Sequence, residues 1–107
     1  MPRKYLRLHV PVEIVVESSS GKAEARISDL SMGGCFVESI QTVSDGEMSR
    51  FEIRLSPNET MQVTGEIVYS MPGIGFGIQF DELTDEQKFH LELLILKHGG
   101  TTKEILE

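Results

Sequence analysis

Turn signals punctuate this chain at short intervals. Ser18-Ser19-Ser20-Gly21, Gly33-Gly34, Asp45-Gly46, Ser56-Pro57-Asn58 and Met71-Pro72-Gly73 separate runs rich in Val, Ile and Phe, and such clusters end one extended segment and reverse the chain into the next. The runs they leave, Val10 to Glu17, Ala23 to Leu30, Cys35 to Glu38, Phe51 to Leu55, Met61 to Tyr69 and Ile74 to Phe80, are each of strand length. Many short strands with turn chemistry between them predict a mainly β fold: a small six-stranded antiparallel β-barrel over residues 8–80. In the second run Ala25 and Ile27 share one face and Glu24, Arg26 and Ser28 the other. Unbroken alternation would put Asp29 and Ser31 on the face of Ile27.

One C-terminal α-helix closes the pattern. Thr84-Asp85-Glu86-Gln87 has the form of a capping box, and Gly99-Gly100 supplies the stop, so the helix is expected over 84–98, with a short fraying tail at 101–107. The acidic residues from Asp81 to Glu86 suit the positive end of its dipole. At 100° per residue its apolar side chains fall on two stripes, Phe89, Leu93 and Leu96 on one and Leu91, Leu94 and Ile95 nearly opposite. Only one stripe can lie on a barrel. The second, read as Leu91, Leu94 and Ile95, is expected either to be covered by Ile105 and Leu106 of the tail or to meet a second protomer or a partner protein.

A chain of 107 residues makes one domain. The longest apolar run in it, Leu93 to Leu96, is four residues, which predicts no membrane insertion, no signal peptide and a cytoplasmic location. Cys35 is the single cysteine, so an intrachain disulfide and a paired-ligand zinc site are excluded and a small strand residue near the core is expected. The formal net charge of −7 argues against general nucleic-acid binding, which needs a broad basic face. Positive charge is instead local: Pro2 to Leu8 carries Arg3, Lys4 and Arg7 and no acid.

That local charge pairs with a second segment, Asp29-Leu30-Ser31-Met32-Gly33-Gly34. Two planar guanidinium forks at Arg3 and Arg7 match phosphate oxygens and the O6/N7 edge of guanine. The carboxylate of Asp29 can accept from the N1 and N2 hydrogens of guanine. Gly33 and Gly34 would interrupt the ladder and admit a ligand close to the backbone. Asp29 and Ser31 also suit a structural turn that bonds its own backbone, a role compatible with binding.

An Arg-x-x-x-Arg segment joined about twenty residues later by Asp-x-Ser-x-x-Gly resembles the PilZ domain, the bacterial receptor module for cyclic di-GMP. The resemblance spans nearly the whole chain and includes Gly73 to Phe80 as a glycine-rich last strand and the closing helix. It implies a cyclic di-GMP site built from Arg3, Lys4, Arg7, Asp29, Ser31, Gly33 and Gly34, with Lys4 standing where relatives often carry another arginine. It further implies no cofactor beyond the ligand and a receptor rather than an enzyme. Residues 1–7 would form a flexible arm that closes over the ligand and so changes the surface offered to a partner. The alternative is a PilZ-fold adaptor that binds protein and no nucleotide; such members typically lack the arginines or the Asp/Ser pair.

Other chemistries fit less well. Gly73, Gly75 and Gly77 form a G-x-G-x-G run, but no helix N-terminus comes directly after it to hold a phosphate. Strand curvature, with a backbone passing close to a neighbour or ligand, accounts for it better. His9, His90 and His98 have no metal or nucleophile spacing. Ser31 lacks the flanking glycines of a nucleophile elbow.

Overall fold

The computed structural model describes residues 8–18 and 21–97. Six strands, β1 (Leu8–Ser18), β2 (Gly21–Leu30), β3 (Gly34–Glu38), β4 (Met48–Ser56), β5 (Glu59–Met71) and β6 (Gly75–Phe80), precede one helix, α1 (Asp85–Lys97). The strands form a closed barrel in the order β1-β2-β3-β6-β5-β4. Every pairing is antiparallel, and the pairing of β1 with β4 from Ile14↔Ile53 to Glu17↔Arg50 completes the circle. Three of the turns expected from sequence contain the positive-φ glycines Gly21, Gly46 and Gly73, a conformation that glycine adopts without steric penalty.

Alternation fills the barrel. Val12, Ile14 and Val16 of β1, Cys35 and Val37 of β3, Phe51 and Ile53 of β4, and Met61, Val63 and Ile67 of β5 all point inward. Each large side chain sealed there contributes about 1.5–3 kcal/mol. Burial pushes the Cys35 thiol well above its ordinary pKa, as expected where a thiolate would lose its hydration.

Two irregularities matter for function. The β2–β3 register passes from Ile27↔Val37 to Asp29↔Phe36, leaving Ser28 as an extra residue, and the β5–β6 register passes from Ile67↔Ile78 to Tyr69↔Gly77, leaving Val68 as another. A one-residue bulge reverses the facing of the residues beyond it. Leu30 therefore turns inward beside Ile27, both fully buried, and Asp29 leaves the face of Ile27. The expectation that Asp29 and Ser31 share that face is corrected: Asp29 stands opposite the outward-facing Phe36, and Ser31 has left the strand.

The helix begins as its sequence indicated. Thr84 N donates to Gln87 Oε1 at 2.8 Å and Gln87 N to Thr84 Oγ1 at 3.1 Å, while Gln87 Nε2 reaches the Gln62 carbonyl of β5 at 2.8 Å. The stripes are the reverse of the expectation. Leu91, Leu94 and Ile95 belong to the core, whereas Phe89, Leu93 and Leu96 are 57%, 48% and 54% exposed. The start of the helix sets this phase: Leu83 packs on the core and Gln87 is tied to β5, and steps of four along that line arrive at Leu91 and Ile95. The expected covering residues Ile105 and Leu106 lie outside the described residues.

Candidate functional site

The hairpin between β2 and β3 is held by its own serine. Ser31 N donates to the Gly34 carbonyl at 2.9 Å, Ser31 Oγ donates to the same oxygen at 3.2 Å, and Gly33 N donates back to Ser31 Oγ at 3.3 Å. This is the backbone-bonding turn such residues favour. Phe80 N donates to the Gly33 carbonyl at 2.9 Å, which fastens the loop to β6.

The two glycines differ. Gly34 is in β3, paired with Gln79, and a Cβ there would collide with the Ile78 carbonyl, so the close approach of β6 explains it. Space around Gly33 is open. Asp29 is partly buried, with Oδ1 shut off from solvent.

Beside this loop lies a pocket of about 230 Å³, lined among the described residues by Ser31, Gly33 and Gly34 on one side and Tyr69, Gly77 and Gln79 on another. Tyr69 and Phe36 had no place in the sequence-derived site. They meet across β6 because Gly77 stands between them in the register. Their rings stack with centroids 6.0 Å apart and planes inclined by 27°, a favourable offset arrangement. A Cβ on Gly77 would run into the Tyr69 ring, and one on Gly75 would meet the Val37 carbonyl first and the Phe36 ring behind it. The glycine run of the last strand was the available signal, since glycines alternating on one strand face make room for rings from the neighbouring strands.

A larger hollow, about 510 Å³, is elsewhere on the barrel and is lined among the described residues by Glu13, Glu24, Glu38 and Glu52 with Arg26 and Arg54. Arg54 Nε bonds Glu13 Oε2 at 2.8 Å, and the carboxylate excess disfavours a phosphate ligand. Arg3, Lys4 and Arg7, the cationic part of the expected site, lie outside the described residues. Among the described residues no cluster of His, Cys, Asp or Glu could hold a metal ion, and no helix is long and apolar enough to cross a membrane.

Solved structures share this architecture. The chain is similar to the PilZ domain of CeSA from a cellulose-synthesizing bacterium, with 21% identity, a TM-score of 0.66 and coverage of 86% of this chain and 96% of that one. It is similar to the PilZ domain of YcgR from Escherichia coli, solved with cyclic di-GMP, with 14% identity, a TM-score of 0.73 and coverage of 92% of each chain. The Bacillus subtilis inhibitor of motility MotI/DgrA matches at 20% identity and a TM-score of 0.66 over 91% of this chain, which spans 51% of that protein. No curated protein matches. The PilZ domain family model matches residues 2–97, a span that holds both sequence segments, the whole barrel and its helix: the chain belongs to the PilZ domain family.

Proposed function

We infer that this domain is a receptor for cyclic di-GMP and not an enzyme. The observation that carries the reading is the family match over residues 2–97, which takes in Arg3, Lys4 and Arg7 together with Asp29, Ser31, Gly33 and Gly34. The loop bearing the second group borders an open pocket on the barrel wall. In this mechanism the guanidinium forks of Arg3 and Arg7 take phosphate oxygens and guanine O6/N7, Lys4 adds a point charge, and Asp29 accepts from guanine N1 and N2. Residues 1–7 act as an arm that closes over the nucleotide, so that binding in the cytoplasm changes the surface a protein partner meets.

Calorimetric titration tests this directly. Cyclic di-GMP should bind at micromolar affinity or tighter, about −8 kcal/mol or better, with GTP and cyclic di-AMP much weaker. Equal affinity for cyclic di-AMP would overturn it, because adenine offers a donor where guanine offers the O6 acceptor.

A second reading, a protein adaptor without nucleotide, draws support from the outward stripe of Phe89, Leu93 and Leu96 and from the likeness to a protein described as an inhibitor of motility. An adaptor of that kind gives no heat in the same titration.

A further inference from the structure

We propose that the outward face of α1 is a homodimer seam, along which two copies of this chain lay their helices side by side and in parallel. Phe89, Leu93 and Leu96 stand outward at spacings of four and then three residues, the rhythm by which the d, a and d positions of a heptad meet a second helix. Leu91, Leu94 and Ile95 are already taken up by the barrel core, so this stripe is left over once the helix has folded onto its own domain. A row of large apolar side chains, each about half exposed, on an otherwise charged helix marks a contact surface.

The charges beside the stripe select its occupant. With Leu93 at an a position, Asp85 and Glu92 fall at g and His90 and Lys97 at e, each acid five residues before its basic counterpart. In a parallel pair a g residue faces the e residue five positions later on the other helix, which sets Glu92 against the partner's Lys97 and, by the two-fold axis, Lys97 against the partner's Glu92. An antiparallel pair would set Glu92 against its own copy. His90 is held near Glu86 of its own helix at 3.8 Å, whereas among the described residues neither Glu92 nor Lys97 has an ion-pair partner within the chain. The pattern is self-complementary, and a second copy satisfies it in full. Glu86, at the a position one turn before Leu93, closes the seam, because two carboxylates facing each other there do not pack.

The helix has 13 residues, about 20 Å, and a stripe of that length would not hold two free peptides together. Here the buried face has already ordered the helix, so association does not have to offset its nucleation. The seam is still small beside the roughly 800 Å² per partner of a standard interface, which makes the dimer weak, with a dissociation constant on the order of 100 μM. At the dilution of a thermal melt the chain is monomeric, and substitutions on the stripe act on assembly and not on folding.

Sedimentation equilibrium over a concentration series spanning that value tests the seam. Wild-type protein should pass from monomer to dimer, and Leu93→Glu, checked as folded by circular dichroism, should stay monomeric throughout. Lys97→Glu and Glu92→Lys should each weaken association about tenfold, and the double variant carrying both should recover it, because the exchanged charges again meet in a parallel pair. A monomeric wild type, a folded Leu93→Glu protein that still dimerises, or a double variant no stronger than its two parents would overturn the proposal. Each of these outcomes leaves the receptor reading untouched.

Discussion

The ring of Tyr69 occupies the space that a Cβ on Gly77 would need, so two residues paired across β5 and β6 are sterically one unit. Gly34, Gly77 and Gly33 therefore differ in what an alanine side chain would meet. At Gly34 the obstacle is the Ile78 carbonyl, which belongs to the ladder; at Gly77 it is a side-chain ring; at Gly33 there is none. Gly34→Ala should destabilise by at least the upper end of about 1–3 kcal/mol, Gly77→Ala by the lower end, and Gly33→Ala by less than about 0.5 kcal/mol. Urea denaturation midpoints rank the three, and any other order would show that the close approaches are misassigned.

Arg7→Ala should weaken cyclic di-GMP binding by about 1–3 kcal/mol, the range of a lost bidentate contact, and Lys4→Ala by less. Neither should lower the melting temperature. A stability loss in Arg7→Ala with affinity intact would make that residue structural. Calorimetry paired with thermal melts separates the cases.

Leu94 and Leu93 are neighbours in sequence and opposites in environment, 4% and 48% exposed. Leu94→Ala should cost about 2–5 kcal/mol, and Leu94→Glu should leave the protein largely unfolded, because a carboxylate there has no partner in the core. Leu93→Glu should stay within about 0.5 kcal/mol of wild type. Circular dichroism melts decide between them; a folded Leu94→Glu protein would contradict the packing of α1.

Burial raises the Cys35 pKa in the folded state, so the folded chain binds the thiol proton more tightly than the unfolded chain does. Stability from this source is complete below the unfolded thiol pKa of about 8.5 and declines as pH rises above it, with a slope of at most about 1.4 kcal/mol per pH unit. Denaturation midpoints from pH 7 to 10, compared with Cys35→Ala, should isolate that slope. Labelling by a thiol reagent should track global unfolding; rapid labelling of the native protein would contradict the burial.

The strands, the helix and its cap were legible because turn residues and the Thr84/Gln87 pair act locally. Boundaries were less so: β4 begins at Met48 and β5 runs to Met71, since ladder bonds continue through polar residues such as Ser49 and Ser70 that hydrophobic patterning does not register. The Asp29-to-Gly34 segment was visible as letters, but its facing was not, because a bulge leaves no mark in alternation. Gly34 looked like an opening for ligand and is explained by Ile78. Phe36 and Tyr69 stayed hidden for another reason: their meeting depends on β3 and β5 flanking β6, a matter of barrel order. The helix phase was fixed by Leu83 and Gln87, outside the stripes that were compared.

Ser28 lies immediately before the Asp-x-Ser-x-x-Gly letters and is no part of them, yet it decides where they point. Were Ser28 paired in the ladder instead, through one added residue on β3 between Phe36 and Val37, alternation would run unbroken from Ile27 and turn the Asp29 carboxylate toward the barrel interior and Leu30 toward water. A relative one residue longer in β3 at this point could match the pattern in full and still present no acceptor to a base. Among such domains, the presence of the motif and the capacity to read guanine are separable by a single insertion outside the motif.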